Sequence, residues 1–295
     1  MTIITKDIDK AAEEIISGNV VGLPTETVYG LGADALNENA VLKIYGTKER
    51  PVFNPVIVHV YDINELEKYA ENIPDEAYKL SEKFSPGPLT LVLKKKKIIP
   101  GIVTSGNESV GLRIPSHTLF REVLKETMLP IAAPSANRSG RISPTSAEDV
   151  LSELEGRINY ILDGGTCEIG IESTIISFLD EDVKILRHGF VTKEDIEKVI
   201  GKTMAIVAYL IFFIPLLMDD MRKNKFVMFH TEQSIVLLLL NVAAGIIGTI
   251  TCGIGLVLYI PWLILLIMGI MNASNGEVKP LPVIGIYGEK FNLVK

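Results

Sequence analysis

The chain has 295 residues, 47% of them hydrophobic, and a formal net charge of −7; that length holds two ordinary domains, each with a buried core. Its two cysteines, Cys167 and Cys252, exclude a disulfide framework and a four-thiolate zinc site and fit a reducing cytosol. The acidic balance argues against a general nucleic-acid-coating protein, which needs surplus Lys and Arg to neutralise phosphates.

Charge is unevenly spread along the chain. Residues 1–203 carry 23 Lys+Arg against 31 Asp+Glu, whereas residues 204–295 carry 6 against 5. The N-terminus lacks the uninterrupted apolar stretch of a signal peptide, so the first part is expected in the cytoplasm.

From the N-terminus, Ala11–Ser17 closed by Gly18 reads as a helix and Val20–Leu23 as a buried strand. Further β-branched runs predict strands at Val56–Val60, Leu89–Leu93, Val110–Ile114, Ile131–Ala133, Ile171–Phe178 and Val183–Leu186. Amphipathic patterns between them predict helices near 38–46, 63–70, 75–84, 117–127, 146–155 and 193–200, which makes the first part an α/β domain. Thr145 with Glu148, and Thr192 with Asp195, have the spacing of capping boxes. The Lys94–Lys97 run reads as a solvated turn or strand end.

At Thr203 and Met204 the composition changes. Ala205–Met218 is an apolar run of 14 residues, and no charged residue occurs from Ser234 to Asn272. That second stretch is long enough for two membrane passes of about 20 residues each, with the turn expected at Gly248–Gly253. The expected division is an α/β domain over 1–202 and an all-α membrane domain over 203–295.

Three segments at predicted strand ends, where α/β sheets usually hold ligands, combine turn residues with small polar side chains. They are Pro24-Thr25-Glu26-Thr27-Val28-Tyr29-Gly30, Lys48-Glu49-Arg50-Pro51 with Asn54-Pro55, and Ala133-Pro134-Ser135-Ala136-Asn137-Arg138-Ser139-Gly140. A guanidinium beside a compact ammonium, as at Arg50 and Lys48, suits phosphates or carboxylates. Of the histidines, His117 and His230 read as helix-surface or interfacial residues, and Cys167 as a small buried one.

Together with Gly111-Leu112-Arg113-Ile114-Pro115, Leu162-Asp163-Gly164-Gly165, Glu172-Ser173-Thr174 and Ile185-Leu186-Arg187, these blocks resemble the YrdC-like threonylcarbamoyl-AMP synthases from about residue 8 to 201. The resemblance implies a twisted mixed sheet with flanking helices. It implies an enzyme joining L-threonine, bicarbonate and ATP, with Mg²⁺ held mainly by ATP. The product, threonylcarbamoyl-AMP, would serve threonylcarbamoyladenosine modification of tRNA through a partner transferase machinery. Carried over by position, Lys48 and Arg50 would be catalytic, and Arg50, Asn54, Ser109, Ser135, Asn137, Ser143 and Arg187 would face ATP. Thr27, Tyr29, His59, Arg113, Ala133 and Ser173 would face threonine, with Arg113 on its carboxylate. The family usually continues Arg-Pro-Gly where this chain reads Arg187-His188-Gly189. A YrdC-like nucleotide- or RNA-binding paralogue without synthase activity is the competing reading.

Residues 205–293 resemble a second family, small membrane domains related to a chloroplast protein-import component. The resembling blocks are Phe226–Gln233, and Asn272-Ala273-x-x-Gly276 followed by Lys279-Pro280-Leu281-Pro282. This implies a lipid bilayer as partner and no reaction. Arg222, Lys223 and Lys225 follow the first apolar run, and cations favour the cytoplasmic side. The run Ala205–Met218 is therefore expected in the interface, with only two helices crossing.

Overall fold

In the computed structural model the described residues are 1–180, 183–251 and 257–293. The chain divides into two compact units, Met1–Thr192 and Lys193–Lys295. The division falls ten residues before the 202/203 boundary expected from composition, because one helix runs without a break from the charged Lys193 stretch into the apolar run.

In the first unit the elements follow in order. They are β1 (Ile3–Thr5), α1 (Ile8–Ile16), β2 (Val21–Leu23), β3 (Gly30–Asp34), α2 (Glu38–Lys48), β4 (Val58–His59), α3 (Leu66–Tyr69), β5 (Ala70–Glu71) and α4 (Asp75–Phe84). Then come β6 (Leu89–Lys95), β7 (Ser109–Arg113), α5 (Thr118–Thr127), β8 (Ile131–Ala132), α6 (Ala147–Leu154), β9 (Tyr160–Leu162), β10 (Thr174–Ser177) and β11 (Lys184–Arg187). The strands join one mixed sheet in the order β1-β9-β2-β3-β8-β4-β7-β6-β10-β11, with β5 paired to β6. The expected α/β class and most expected elements are present.

Local signals account for several boundaries. Asp7 caps α1 by accepting from the Lys10 amide, and Asn37 caps α2 through the amides of Asn39 and Ala40. The capping box at α6 is formed by Ser146 and Asp149, one residue later than the Thr145 and Glu148 spacing suggested. Asp149 Oδ2 also accepts from the Thr145 hydroxyl at 3.2 Å and from the Thr145 amide at 3.0 Å, so both residues serve one carboxylate. A core of Ala11, Ile15, Leu23, Phe120, Val123 and Ile131 packs helices on the sheet. The sheet thereby delivers the ends of β2, β4, β7 and β8 and the starts of β3 and β10 to one region.

Among its described residues the second unit contains helices and no strand. These are α7 (Lys193–Leu210), α8 (Ile214–Leu217), α9 (Asp219–Lys223), α10 (Lys225–Ile250), α11 (Tyr259–Asn275) and α12 (Gly285–Gly288). By length and composition α10 is long and apolar enough to cross a membrane, and α11 is a shorter apolar helix of 17 residues. Cys252 and the end of the turn expected at Gly248–Gly253 lie outside the described residues. The first part of α10 is buried and polar, and the sequence reading of His230 as a surface or interfacial residue is corrected here. His230 is fully buried among Phe226, Phe229 and Tyr209, with the Tyr209 hydroxyl 3.0 Å from its Nδ1. Gly269 on α11 lets the Tyr209 ring approach, since a Cβ there would overlap the ring edge at Cε1 and Cζ.

Candidate active site

An open cleft at these strand ends is lined by Arg50, His59, Arg113, Ala133, Ser135 and Arg187, all anticipated from sequence, and by Glu172, which was not. Thr25, Val28, Gly30, Pro55, Ile57, Pro134 and Ile175 complete the wall. Backbone bonds lock the contributing loops together. The Ala136 amide donates to Tyr29 O at 2.7 Å, Leu31 N to Pro134 O at 2.8 Å, and Gly170 N to Thr27 O at 3.0 Å.

Arg113 ends β7 and is 5% exposed. Its Nη2 donates to Glu26 Oε1 at 2.7 Å and to Thr27 Oγ1 at 2.8 Å, and its Nε to Gly87 O at 3.4 Å. Burial pushes the Glu26 carboxyl up, but the Arg113 charge and hydrogen bond, with the Ser116 amide, bring it below its ordinary value. His59 ends β4 beside Phe120, and neither ring nitrogen has a hydrogen-bond partner among the described residues. Burial and the Arg113 charge hold its pKa well below the usual imidazole value, so it presents a neutral ring to the cleft.

Arg187 ends β11. Its Nε donates to Ser173 O and its Nη2 to Ser173 Oγ, both at 2.9 Å, while Nη1 lies 3.4 Å from Glu172. The loss of the family's proline after Arg187 leaves this aim intact. Gly189 instead fixes the segment, because a Cβ there would fall 2.6 Å from the Ser173 carbonyl carbon. Arg50 is held by its own loop, with Nε 3.3 Å from Asn54 O and Nη2 3.1 Å from Pro55 O.

Other anticipated residues stand behind the cleft wall. Lys48 is 1% exposed, and its Nζ donates to the carbonyls of Ser135 and Asn137, so it braces the Ser135 loop where direct substrate contact was expected. Burial and nearby Arg50 push its ammonium down to about 8. Asn137 turns its amide into the loop, onto Arg138 O and Arg141 O. Thr27 and Ser173 touch the lining through Arg113 and Arg187, and Ser143 donates to Glu172 at 2.8 Å. Asn54 acts through its carbonyl on Arg50.

Tyr29 and Ser109 are likewise outside the lining. Tyr29 is fully buried, and its hydroxyl, pushed up to about 12 by burial, donates to Gly165 O and accepts from the Gly164 amide. It therefore braces the Gly164–Gly165 turn. Ser109 begins β7, opposite Lys94. Cys167 is half-buried with its thiol pushed up to about 11 by burial, and so is a poor nucleophile.

Among the described residues no group of three His, Cys, Asp or Glu side chains is placed to hold a metal. Glu172 is the carboxylate on the lining. The site sequence reasoning missed is thus acidic: Glu26 and Glu172 counterbalance the arginines, and each sits beside an anticipated residue, Thr27 or Ser173.

This open cleft carries three guanidiniums, a neutral imidazole, a backbone-braced serine and the Glu172 carboxylate, and its cations are of the kind an anionic ligand needs. Residues 13–189 match the model of the Sua5/YciO/YrdC family, described as "Telomere recombination", and the chain belongs to that family. It is 48% identical over 192 residues to a threonylcarbamoyl-AMP synthase of Pyrococcus abyssi, and 50% identical over 195 residues to one of Bacillus subtilis. These matches cover 65% and 66% of this chain, and 56% of each relative; the chain spans little more than half the length of either. The crystal structure of P. abyssi Sua5 complexed with L-threonine superposes with a TM-score of 0.66 at 45% identity, over 68% of this chain and 61% of that one.

Proposed function

We propose that the first unit makes threonylcarbamoyl-AMP and pyrophosphate from L-threonine, bicarbonate and ATP, for threonylcarbamoyladenosine modification of tRNA. The observation that carries this is the convergence of Arg50, Arg113 and Arg187 with Ser135 and His59 on one cleft. The relatives' names and the L-threonine complex of the Sua5 relative support it.

In this reading Arg113 takes the amino acid's carboxylate and the neutral His59 ring meets its hydroxyl. The neutral threonine amine attacks the bicarbonate carbon, forming the carbamate's C–N bond, while the C–OH bond breaks and the hydroxyl leaves with one amine hydrogen as water. A carbamate oxygen then attacks the α-phosphorus, and the bond to the pyrophosphate oxygen breaks. Negative charge spreads over several oxygens, so fixed cations matter more than a strong base. Arg50 and Arg187 supply them, while Lys48 and Asn137 fix the loop that presents Ser135. Mg²⁺ would travel with the nucleotide and screen its phosphates; on the protein side only Glu172 on the lining offers it a carboxylate. The carbamoyl adenylate would pass to a transferase that modifies tRNA.

The second unit, in the same reading, is a membrane anchor holding the enzyme at the cytoplasmic face of a lipid bilayer. Large apolar side chains stay exposed along α10 from Leu238 to Ile250 and along α11 from Ile260 to Met271. The resemblance to chloroplast-import-related membrane domains belongs to this proposal. Lys225 and Lys279 then mark the two ends of a hairpin on one side of the membrane.

The test is threonine- and bicarbonate-dependent pyrophosphate release by the full chain. The reading expects Arg50→Ala to reduce it about 10²-fold or more. Release that does not depend on threonine, or an unaffected variant, refutes it and favours a nucleotide- or RNA-binding paralogue.

A further inference from the structure

Glu26 is 4% exposed and its carboxylate is shared between two elements. Oε1 accepts from Arg113 Nη2 at 2.7 Å, and Oε2 accepts from the Ser116 amide at 3.1 Å, beyond the end of β7. Its own carbonyl is fixed as well, accepting from the Ile169 amide at 2.9 Å. The carboxylate therefore cannot swing without breaking contacts to two other segments.

On the arginine side, Nη2 is used twice, by Glu26 and Thr27, and Nε faces Gly87 O. Nη1 has no partner among the described residues, and Arg113 lines the cleft. A planar fork with two of its three nitrogens committed has one rotational setting left. A buried ion pair is weak evidence for stability, since well-packed apolar residues often serve the fold as well or better. A pair whose arginine opens onto a ligand cleft has a second use.

We infer that Glu26 is a positioning residue, setting the Arg113 guanidinium so that Nη1 alone is presented to the carboxylate of the amino-acid substrate. This rests on the reading of the cleft as a threonylcarbamoyl-AMP synthase site. It also assigns Glu26 a balancing role: the pair is neutral overall, so the carboxylate is held by a directed hydrogen bond more than by bulk positive potential.

Two variants of the full chain test this, with L-threonine binding followed by calorimetry and KM and kcat for each substrate followed by pyrophosphate release. Glu26→Gln is expected to raise Kd and KM for L-threonine about tenfold or more, as loss of a charge-assisted bond would. KM for ATP and kcat at saturating threonine should change less than about threefold. Glu26→Asp keeps the charge balanced and so the fold, but withdraws the oxygen from Nη2; it is expected to weaken L-threonine binding in a protein that melts like the parent. Unchanged threonine affinity in either folded variant, or equal losses for threonine and ATP, overturns the positioning role alone. A parent protein that binds no L-threonine overturns both this role and the synthase reading beneath it.

Discussion

Arg187 grips Ser173 twice, with Nε on its carbonyl oxygen and Nη2 on its hydroxyl, both at 2.9 Å. The end of β11 is thereby clamped to the entry of β10, which lies parallel to β6 in the sheet. Ser173 Oγ also pairs with Thr90 Oγ1 of β6 at 2.8 Å. The guanidinium at the cleft is thus fixed, through Ser173, to two further strands of the same sheet, and Nη1 faces Glu172.

Replacing Arg187 by lysine keeps a positive charge but removes the fork. A point charge on a flexible stem cannot hold both Ser173 atoms and the cleft at once. The expected outcome is a loss of about 10²-fold in ATP-dependent turnover with little change in L-threonine binding. Steady-state pyrophosphate release, with calorimetry for threonine, measures both.

Lys48 gives a pH-dependent signature. Burial and then the Arg50 charge push its ammonium down to about 8, from an ordinary lysine value of 10.5. Between those values the unfolded chain holds a proton that the folded one has released, so the stability difference between parent and Lys48→Gln should grow with pH through this window. The expected gain is on the order of 3 kcal/mol in full, and less over the accessible range. Melting curves of parent and variant from neutral pH to about two units higher test this; a constant difference would contradict it.

For the second unit, the exposed apolar side chains Ile246 of α10 and Ile264 of α11 are read as lipid-facing. An aspartate at either should cost roughly 2.5–3.5 kcal/mol of insertion free energy if the position is central in the bilayer. The double change Ile246→Asp with Ile264→Asp is expected to shift the chain from the membrane pellet toward the supernatant. A parent chain found wholly in the supernatant would contradict the anchor.

The sequence exposed elements that declare themselves by composition. β6 alternates the β-branched Thr90 and Val92 with leucines, α4 and α5 carry amphipathic patterns, and these elements, with β7, appear near their expected bounds. It did not expose β3, whose Gly30-Leu31-Gly32-Ala33-Asp34 run has no β-branched residue. That strand exists because β2 and β8 flank it on either side. β5, Ala70–Glu71, was missed for the same reason, whereas β1 (Ile3–Thr5) and β9 (Tyr160–Leu162) consist of strand-forming residues but are too short for a periodic pattern to show.

At the site, residue types were legible and their directions were not. Arg50, Arg113 and Arg187 could be anticipated as cleft cations, but nothing local says that Lys48 turns away onto two carbonyls or that Tyr29 braces a neighbouring turn. Carboxylates in an anion site run against first expectation. Glu26 and Glu172 acquire meaning only once the sheet brings Arg113 and Arg187 beside them. His230 likewise reads as a lone polar residue until α7 supplies Tyr209.

The most direct measurement is the mass of the nucleotide product formed by the purified full chain from ATP, L-threonine and isotopically labelled bicarbonate. The account requires a threonine-containing AMP conjugate that carries the labelled carbon, formed together with pyrophosphate and lost in Arg50→Ala. Recovery of only unmodified ATP, ADP or AMP from a folded protein would contradict it.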